Sequence, residues 1–449
     1  MQFTSLAFAI FLPMVFMMYW AAPAKARMPL LLLISYGFYL SLSPGYVLLL
    51  IFISFLTYMV GRHCNKKTLA FGIIVQIIIL AFFKYVGLLP GIFQNIVIPV
   101  GISFYMFKSI SYMVDVYKNE IEAETKVVPL FLYLAFFPDI VSGPINRAGD
   151  LIPQLKKDMI FDEAQAVYGM RLILWGLFQK LLIADTLAGY VDLVFEMPDA
   201  FLGISYVIVM FFYTIQIYCD FAGYSNMAIG IARLFGVVSM DNFKSPYLAS
   251  DIREFWDRWH ISLSTWLRDY VYIPLGGSRK GKVETYFNLI ITFLVSGIWH
   301  GGSLTFVVWG LLHGIYQVIY RIYRKYCKIR IPKIIGVIIT FLAVSCAWMF
   351  FRADSVSQAL RMFGHMFYNM DLMLAYRKLG MVKKDFYMLI AAILVLFGFD
   401  VANQKVDVLR KLDRLAVPVR YAIYLIFSIV ILAYHIHNGT SQEFIYFKF

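Results

Sequence analysis

Apolar stretches long enough to cross a membrane recur along nearly the whole of this 449-residue chain. Hydrophobic residues make up 61% of the sequence and charged residues only 15%, whereas a soluble domain carries roughly 25% charged residues. None of the stretches shows the alternation that a membrane barrel strand keeps over about ten residues. The sequence therefore predicts an all-α, polytopic membrane protein with roughly 11–14 membrane-embedded helices.

The basic residues of the N-terminal part lie in every second loop between the apolar stretches. Lys25 follows the first stretch and Arg62 the third, whereas loops 41–46 and 89–95 carry no charge. Because Lys and Arg are retained on the cytoplasmic side, this pattern predicts an extracytoplasmic N-terminus and a retained first helix within Met1–Trp20. The net charge of +13 is thereby explained without a nucleic-acid-binding face.

Two segments are too irregular for simple spanning helices. Phe136–Arg147 contains two prolines, a glycine and Asp139, and such backbone at membrane depth is tolerated only where protein or a cavity covers it. Leu202–Val237 is too long for one crossing and contains several polar residues, so we expect two helical pieces broken near Asp220. No internal repeat and no soluble domain is evident, so residues 1–449 are expected to form a single membrane domain.

Phe243–Gly277 has the pattern of an amphipathic helix rather than a spanning one. Its aromatic and apolar residues, among them Trp256, Trp259 and His260, recur at steps of three or four, and most of the charged residues fall elsewhere on the wheel. We therefore expect a helix lying in the membrane plane, near the cytoplasmic interface.

His300 lies in an apolar run between two basic clusters, at 279–282 and 321–330. If both clusters are cytoplasmic, the chain between them must enter the membrane and return to the cytoplasmic side, with its turn at Gly301–Gly302 and His300 at membrane depth. An ionisable side chain there is costly unless it is functional or paired. Two interpretations stay open: a core histidine bonded to neighbouring backbone, or a general base, since imidazole has a pKa of about 6.5.

The segments around these two histidines, Asp251–Gly277 and Ser296–Gly302, resemble the membrane-bound O-acyltransferase family, and its alginate O-acetyltransferase branch most of all. Four flanking motifs resemble that branch too: Ile98–Phe107, Gln216–Gly230, Trp348–Arg352 and Phe444–Phe449. The branch that attaches D-alanine to teichoic acid shares the Arg258-Trp259-His260-x-Ser262 core. However, Tyr270–Gly277 is more like the polysaccharide acetylation branch.

The resemblance implies roles for both histidines within a catalytic core at residues 243–320. His300 would be the general base, and His260 would form hydrogen bonds or position a group, because many eukaryotic members have Asn there. A structural role for His260 in its apolar stripe remains the alternative. The residues expected to line the substrate tunnel are Trp299, Trp256, Trp259, Asp220, Tyr224 and Gln216.

The resemblance also implies substrates and partners. The helices would surround a central tunnel in a bacterial plasma (inner) membrane, with the lipid bilayer around them. An acyl thioester donor, acetyl-CoA or another, would approach from the cytoplasm, and no cofactor would stay bound. A polysaccharide acceptor on the outer side would be acetylated directly or through an extracytoplasmic partner of the SGNH-hydrolase-like type.

Several alternatives remain at this stage. Buried charges such as Asp220, Asp115 and Lys84 could simply pair with each other, or with Arg147 or Arg171. No metal-ligand spacing is present, so no metal site is expected. In place of acetylation, the chain could transfer D-alanyl groups from a carrier protein to teichoic acid, or act as a transporter. After Ile331 two or three further helices fit, namely Ile334–Phe351, Phe386–Phe399 and Val417–Tyr434.

Overall fold

The computed structural model describes residues 1–86, 97–201, 203–327, 329, 331–438 and 442–445, with side chains up to residue 435 and again at 442–445. The uncharged loop expected at 89–95 and the end of the motif Phe444–Phe449 lie outside these residues. Within them every regular element is a helix, which confirms the all-α class.

Seven helical segments are long and apolar enough to span a membrane, by length and composition among the described residues. This confirms a polytopic membrane protein; the expected total of embedded helices and the central tunnel stay predictions. The seven segments are Pro44–Arg62, Lys66–Tyr85, Glu163–Glu196, Ile204–Leu234, Lys333–Arg352, Lys383–Asn403 and Val417–His435.

The chain packs into two compact units, Met1–Trp175 with Tyr224–Asp241, and Gly176–Gly223 with Asn242–Phe449. That the chain forms one functional domain stays a prediction. Helices α9 (Glu163–Leu177) and α11 (Ile204–Leu234) contribute residues to both units. The other helices of the first unit are α1 Leu6–Ala21, α2 Ala24–Leu42, α3 Val47–Arg62, α4 Lys66–Tyr85, α5 Ile102–Tyr117, α6 Val127–Ala135, α7 Phe137–Ile140 and α8 Ala148–Lys156, with a 3₁₀ turn at Pro44–Tyr46.

A buried ion pair organises the irregular segment of the first unit. As expected, residues 136–147 are helical only at Phe137–Ile140 and almost entirely buried. The Lys108 ammonium lies 3.0 Å from the Asp139 carboxylate, which also accepts a 2.8 Å hydrogen bond from Asn146. Asn146 in turn donates to Ser239. Asp139 therefore anchors backbone that no regular helix supports, which is a structural role.

The second unit begins with a π-helical segment at Phe178–Ala184, which continues directly into α10 (Asp185–Glu196). Its further α-helices are α12 Ile252–Arg258, α13 Ile261–Leu267, α14 Lys282–His300, α15 Leu304–Tyr326, α16 Lys333–Arg352, α17 Val356–His365, α18 Leu372–Lys378, α19 Lys383–Asn403, α20 Val408–Lys411 and α21 Val417–Asn438. A second π segment lies at Arg268–Tyr272, and 3₁₀ turns lie at Pro198–Ala200, Pro246–Leu248 and Leu412–Arg414. The three helices expected after Ile331 are confirmed, as α16, α19 and α21.

The expected break near Asp220 is wrong, because α11 runs without interruption from Ile204 to Leu234. A carboxylate inside an apolar helix needs a partner rather than a break. Here Lys180 lies 2.6 Å from the Asp220 carboxylate, and the Ile445 backbone N–H donates to its other oxygen at 2.8 Å. The polar group is satisfied from outside the helix, so α11 can stay continuous.

The single in-plane helix expected at Phe243–Gly277 is also corrected. The structure has two short helices, α12 and α13, separated at Trp259 and His260. The His260 backbone is left-handed, with φ +42°, which no α-helix accommodates. α12 begins at a true cap, because the Asp251 side chain accepts hydrogen bonds from the Arg253 and Glu254 N–H groups.

The hairpin around the second histidine is confirmed in its helical form. α14 ends at His300 and α15 begins at Leu304, and the two helices pack closely against each other. Gly297 and Gly310 face each other at the crossing, where a Cβ atom added to Gly297 would lie 3.4 Å from the Gly310 Cα. Small residues at such a crossing let two helices approach closely.

Candidate active site

His300 is the last residue of α14 and lies inside a cage of aromatic rings. The centroids of Trp299, Trp309 and Phe351 lie 4.8, 5.0 and 5.1 Å from that of the imidazole. Only 4% of the His300 surface is exposed. Gly301 follows, and a Cβ atom there would lie 2.3 Å from the Phe306 ring. Glycine at this position therefore leaves room for Phe306, which packs on Phe351 of the cage.

His260 is held in a different way, by an amide. Its Nδ1 lies 3.4 Å from Oδ1 of Asn242. That oxygen also accepts from the Ser262 N–H and hydroxyl, at 3.2 and 2.7 Å. Because a backbone N–H can only donate, the Asn242 atom must be the carbonyl oxygen, so Nδ1 of His260 is the protonated nitrogen. This geometry directs the Nδ1–H of His260 toward Asn242.

Burial keeps this imidazole uncharged. His260 is 1% exposed, and its ring packs edge-on against Phe221 at 4.5 Å. Desolvation lowers the pKa of His260 to about 3, because a charged imidazole loses its hydration in such a site. His260 is therefore suited to hydrogen bonding and not to carrying a proton at neutral pH.

A continuous cluster of tryptophan rings connects the two histidine segments. Trp259 packs on Trp348 at 5.0 Å, Trp348 on Trp309 at 5.6 Å, and Trp309 on His300. Trp256 also contacts Trp309, at 5.9 Å. Two of the expected tunnel residues, Trp256 and Trp259, are thus brought within one or two rings of His300, and Trp299 contacts it directly.

A third buried histidine, His313, belongs to the same cluster and was missed by the sequence analysis. The Trp256 indole N–H donates to its Nδ1 at 3.3 Å, and its ring lies 4.9 Å from Trp309. His313 is fully buried. The sequence feature that could have identified His313 is its spacing of four residues from Trp309, which places both side chains on one face of α15.

A polar cavity of about 350 Å³ lies next to this cluster. Gln216 and Asp220, both expected in the tunnel, line it, as do Ser303, Phe306 and Phe351. Its charged lining comprises five acidic residues against two basic ones.

Both basic residues of the cavity are held by ion pairs. The Lys180 ammonium lies 2.6 Å from the carboxylates of both Asp185 and Asp220, and Arg352 lies 2.6 Å from Asp192. Lys180 was not among the partners that the sequence analysis considered for Asp220. The cavity is therefore a polar, net acidic space beside a buried histidine.

Tyr224 is not part of this arrangement as described, because it belongs to the first unit. Its side chain is fully buried there, and its ring lies 6.1 Å from that of Phe3. Its expected place in the tunnel stays a prediction.

Comparison with known proteins identifies the family. The sequence model of the membrane-bound O-acyltransferase family matches residues 119–356, which include both histidines. The chain is 38% identical to a probable alginate O-acetylase of Pseudomonas syringae pv. tomato, over 82% of this chain and 75% of the relative. It is 34% identical to a peptidoglycan O-acetyltransferase of Helicobacter pylori, over 80% and 78%.

A teichoic acid D-alanyltransferase of Bacillus subtilis is more distant, at 28% identity over 55% of this chain and 67% of the relative. The resemblance to the alginate-acetylating branch is thus confirmed. The chain belongs to the membrane-bound O-acyltransferase family, and it is a multi-pass membrane O-acyltransferase.

Proposed function

We propose that this protein transfers an acetyl group from a cytoplasmic thioester to a hydroxyl on the extracytoplasmic side of a bacterial plasma membrane. The observation that carries the proposal is the position of His300. It is a buried imidazole at the end of the α14–α15 hairpin, next to a cavity with a charged lining.

The charge distribution supports the direction of transfer. α14 begins at Lys282, directly after Arg279 and Lys280, and α15 ends with Arg324 and Lys325 in its last turn. By the positive-inside rule this end of the hairpin is cytoplasmic. The opposite end holds His300, followed by the cavity-lining residues Ser303 and Phe306, so we place this end toward the outer side. By the same rule, the basic loops of the first unit favour an extracytoplasmic N-terminus.

The chemistry follows from the acid–base character of imidazole. His300 removes the proton from the acceptor hydroxyl while its oxygen attacks the thioester carbonyl. The C–S bond then breaks, and the thiolate takes up the proton that the imidazolium carries. The acyl group has then moved from sulfur to oxygen, and His300 is again neutral. His260 acts as a neutral hydrogen-bonding residue, fixed by Asn242.

The similarity to proteins named for acetylating alginate and peptidoglycan favours an acetyl thioester such as acetyl-CoA as donor and a cell-envelope polysaccharide as final acceptor. The polymer receives the group directly or through an extracytoplasmic SGNH-like partner. Lower identity and coverage make D-alanyl transfer the weaker candidate, and family membership favours acyl transfer over transport.

Substitution of His300 tests the proposal. We expect His300→Ala to lower acetylation of envelope polysaccharide in cells by about 10²–10⁴-fold, the usual effect of losing a general base. The protein should still be expressed and melt normally in detergent. The matched control is His365→Ala on α17, since His365 is exposed and remote in sequence from both motifs. A folded His300→Ala protein with wild-type acetylation would contradict the assignment of the base.

Substitutions of His260 distinguish a hydrogen-bonding role from proton transfer. Asn can replace the donor that faces Asn242 but cannot shuttle a proton. His260→Asn should therefore retain more activity than His260→Ala. Equal loss in both variants would mean that the hydrogen bond is not what position 260 contributes.

A further inference from the structure

Phe351 touches the cavity and His300 at once. It is the penultimate residue of α16, 1% exposed, and it lines the cavity. Its ring also packs edge-on against the His300 imidazole, with centroids 5.1 Å apart. His300 itself is not among the described residues that line the cavity. The path from the cavity to the imidazole therefore meets this ring.

The Phe351 ring is fixed by three further aromatic contacts. Its centroid lies 4.9, 5.2 and 5.3 Å from those of Phe306, Trp309 and Trp348. All three pairs are close to perpendicular, at 87°, 70° and 88°, which is a favourable arrangement for aromatic rings. Phe306 lines the cavity as well. Together the two phenylalanines contribute an apolar wall to a cavity that also has many polar and charged lining residues.

The end of α16 is anchored next to this wall. Arg352 follows Phe351 and pairs with Asp192 at 2.6 Å, and both residues line the cavity. The helix ends there, because Ala353 is extended. Phe351 is thus the direct neighbour in sequence of a residue that forms an ion pair inside the cavity.

We propose that Phe351 is a specificity-determining residue that keeps water in the cavity away from His300 and the acyl donor. The inference rests on the proposed function. A water molecule that reached His300 would lose its proton to the imidazole and attack the thioester, giving free acetate and the free thiol. Exclusion of water prevents such side reactions. An acceptor hydroxyl reaches His300 only by displacing the ring, so thioester cleavage stays coupled to transfer.

The test measures thioester cleavage without acceptor. Purified protein in detergent is given acetyl-CoA alone, and released CoA thiol and acetate are quantified. We expect Phe351→Ala to raise CoA release by about tenfold over wild type, because the wall that excludes water is removed. Phe351→Leu, which keeps part of the side chain, should give a smaller rise. The matched control is Phe350→Ala, since Phe350 is also buried on α16 but packs on Phe363.

A second measurement does not depend on the donor. Diethyl pyrocarbonate modifies accessible imidazoles, and mass spectrometry locates the product. The His300 peptide should react faster in Phe351→Ala and Phe351→Leu than in wild type or Phe350→Ala, while the exposed His365 reacts equally in all four. Unchanged CoA release and unchanged His300 modification in the Phe351 variants would overturn the proposal, even if wild type acetylates polymer. Absence of both CoA release and polymer acetylation in wild type would instead refute the proposed function.

Discussion

The close crossing of α14 and α15 leaves no room for a side chain at Gly297. A Cβ atom added to Gly297 would lie 2.3 Å from the Phe306 carbonyl oxygen and 3.1 Å from its carbon. An ordinary contact begins at 3.4 Å, so the added methyl group is about 1 Å too close to the oxygen. The obstacle is backbone and cannot rotate away, so in Gly297→Ala the two helices must separate by a distance of this order.

That separation acts directly on the site. His300 lies one helical turn beyond Gly297, and Trp309, one of its ring neighbours, lies on α15. A misplacement of 1 Å in a catalytic arrangement typically costs about 10²-fold in rate, and overpacking costs about 1–3 kcal/mol of stability. We therefore expect Gly297→Ala to lower the initial rate of acetyl transfer by about 100-fold, with a smaller effect on the detergent melting temperature.

Gly398→Ala is the matched control. Gly398 is an exposed glycine inside α19, and nothing lies within 4 Å of an added Cβ. This substitution should leave the rate unchanged and stabilise the protein by about 0.4–1 kcal/mol, since it restricts the unfolded chain. A Gly297→Ala protein with the rate and melting temperature of wild type would refute the reasoning that the hairpin fixes His300.

Three further predictions concern pH, charge and orientation. Burial lowers the pKa of His260 to about 3, so between that value and about 6.5 the unfolded chain binds a proton that the folded chain does not, and stability falls as pH falls. In detergent melts, wild type should therefore lose about 1 kcal/mol more stability than His260→Asn between pH 7 and pH 5.5. Parallel pH curves for the two proteins would contradict this. Lys180→Met leaves the Asp220 carboxylate without its cation and should cost about 3–5 kcal/mol, while adding Asp220→Asn should recover part of that loss, so simply additive losses would argue against the pair. Cys327 is exposed in the basic region after α15, and Cys64 follows Arg62. An impermeant thiol reagent should therefore leave both unlabelled in intact cells and label Cys327 once the cells are permeabilised. Labelling of either cysteine without permeabilisation would reverse the orientation.

Hydrophobic periodicity and charge predicted the all-α class and the helices after Ile331, but not the backbone at His260. The apolar stripe that contains Trp256 continues through His260 to Leu263 and Leu267, so the sequence favours one helix. The left-handed turn at His260 is stabilised by Asn242, which bonds to His260, Ile261 and Ser262. Such a contact is tertiary and leaves no periodic signal in the local sequence.

The same limit applied to the charged and aromatic parts of the site. Asp220 was recognised as an unusual residue, but its partner Lys180 lies forty residues earlier in an apolar stretch. Phe351 is one of 41 phenylalanines, and only the three-dimensional contacts distinguish it from Phe350 beside it. The two histidines were identified because their motifs are local, whereas some residues that contact them, such as Phe351 and Asn242, lie outside those motifs.

The π segment at Phe178–Ala184 affects where the chain can lose a residue without disturbing its helix packing. Deleting one residue from an α-helix rotates everything beyond it by about 100°, which would turn a lipid-facing surface toward protein. A π segment holds one residue more than an α-helix needs there, so a deletion within Phe178–Ala184 would relax it to α geometry while α9 and α10 keep their faces. Lys180 lies within this segment and contacts the carboxylates of Asp185 and Asp220 at 2.6 Å, so the deletion would shift its ammonium relative to both. Single-residue gaps between homologous chains are therefore expected to be tolerated at this point of the helix. They would alter the buried charge cluster around Lys180 and leave the fold unchanged.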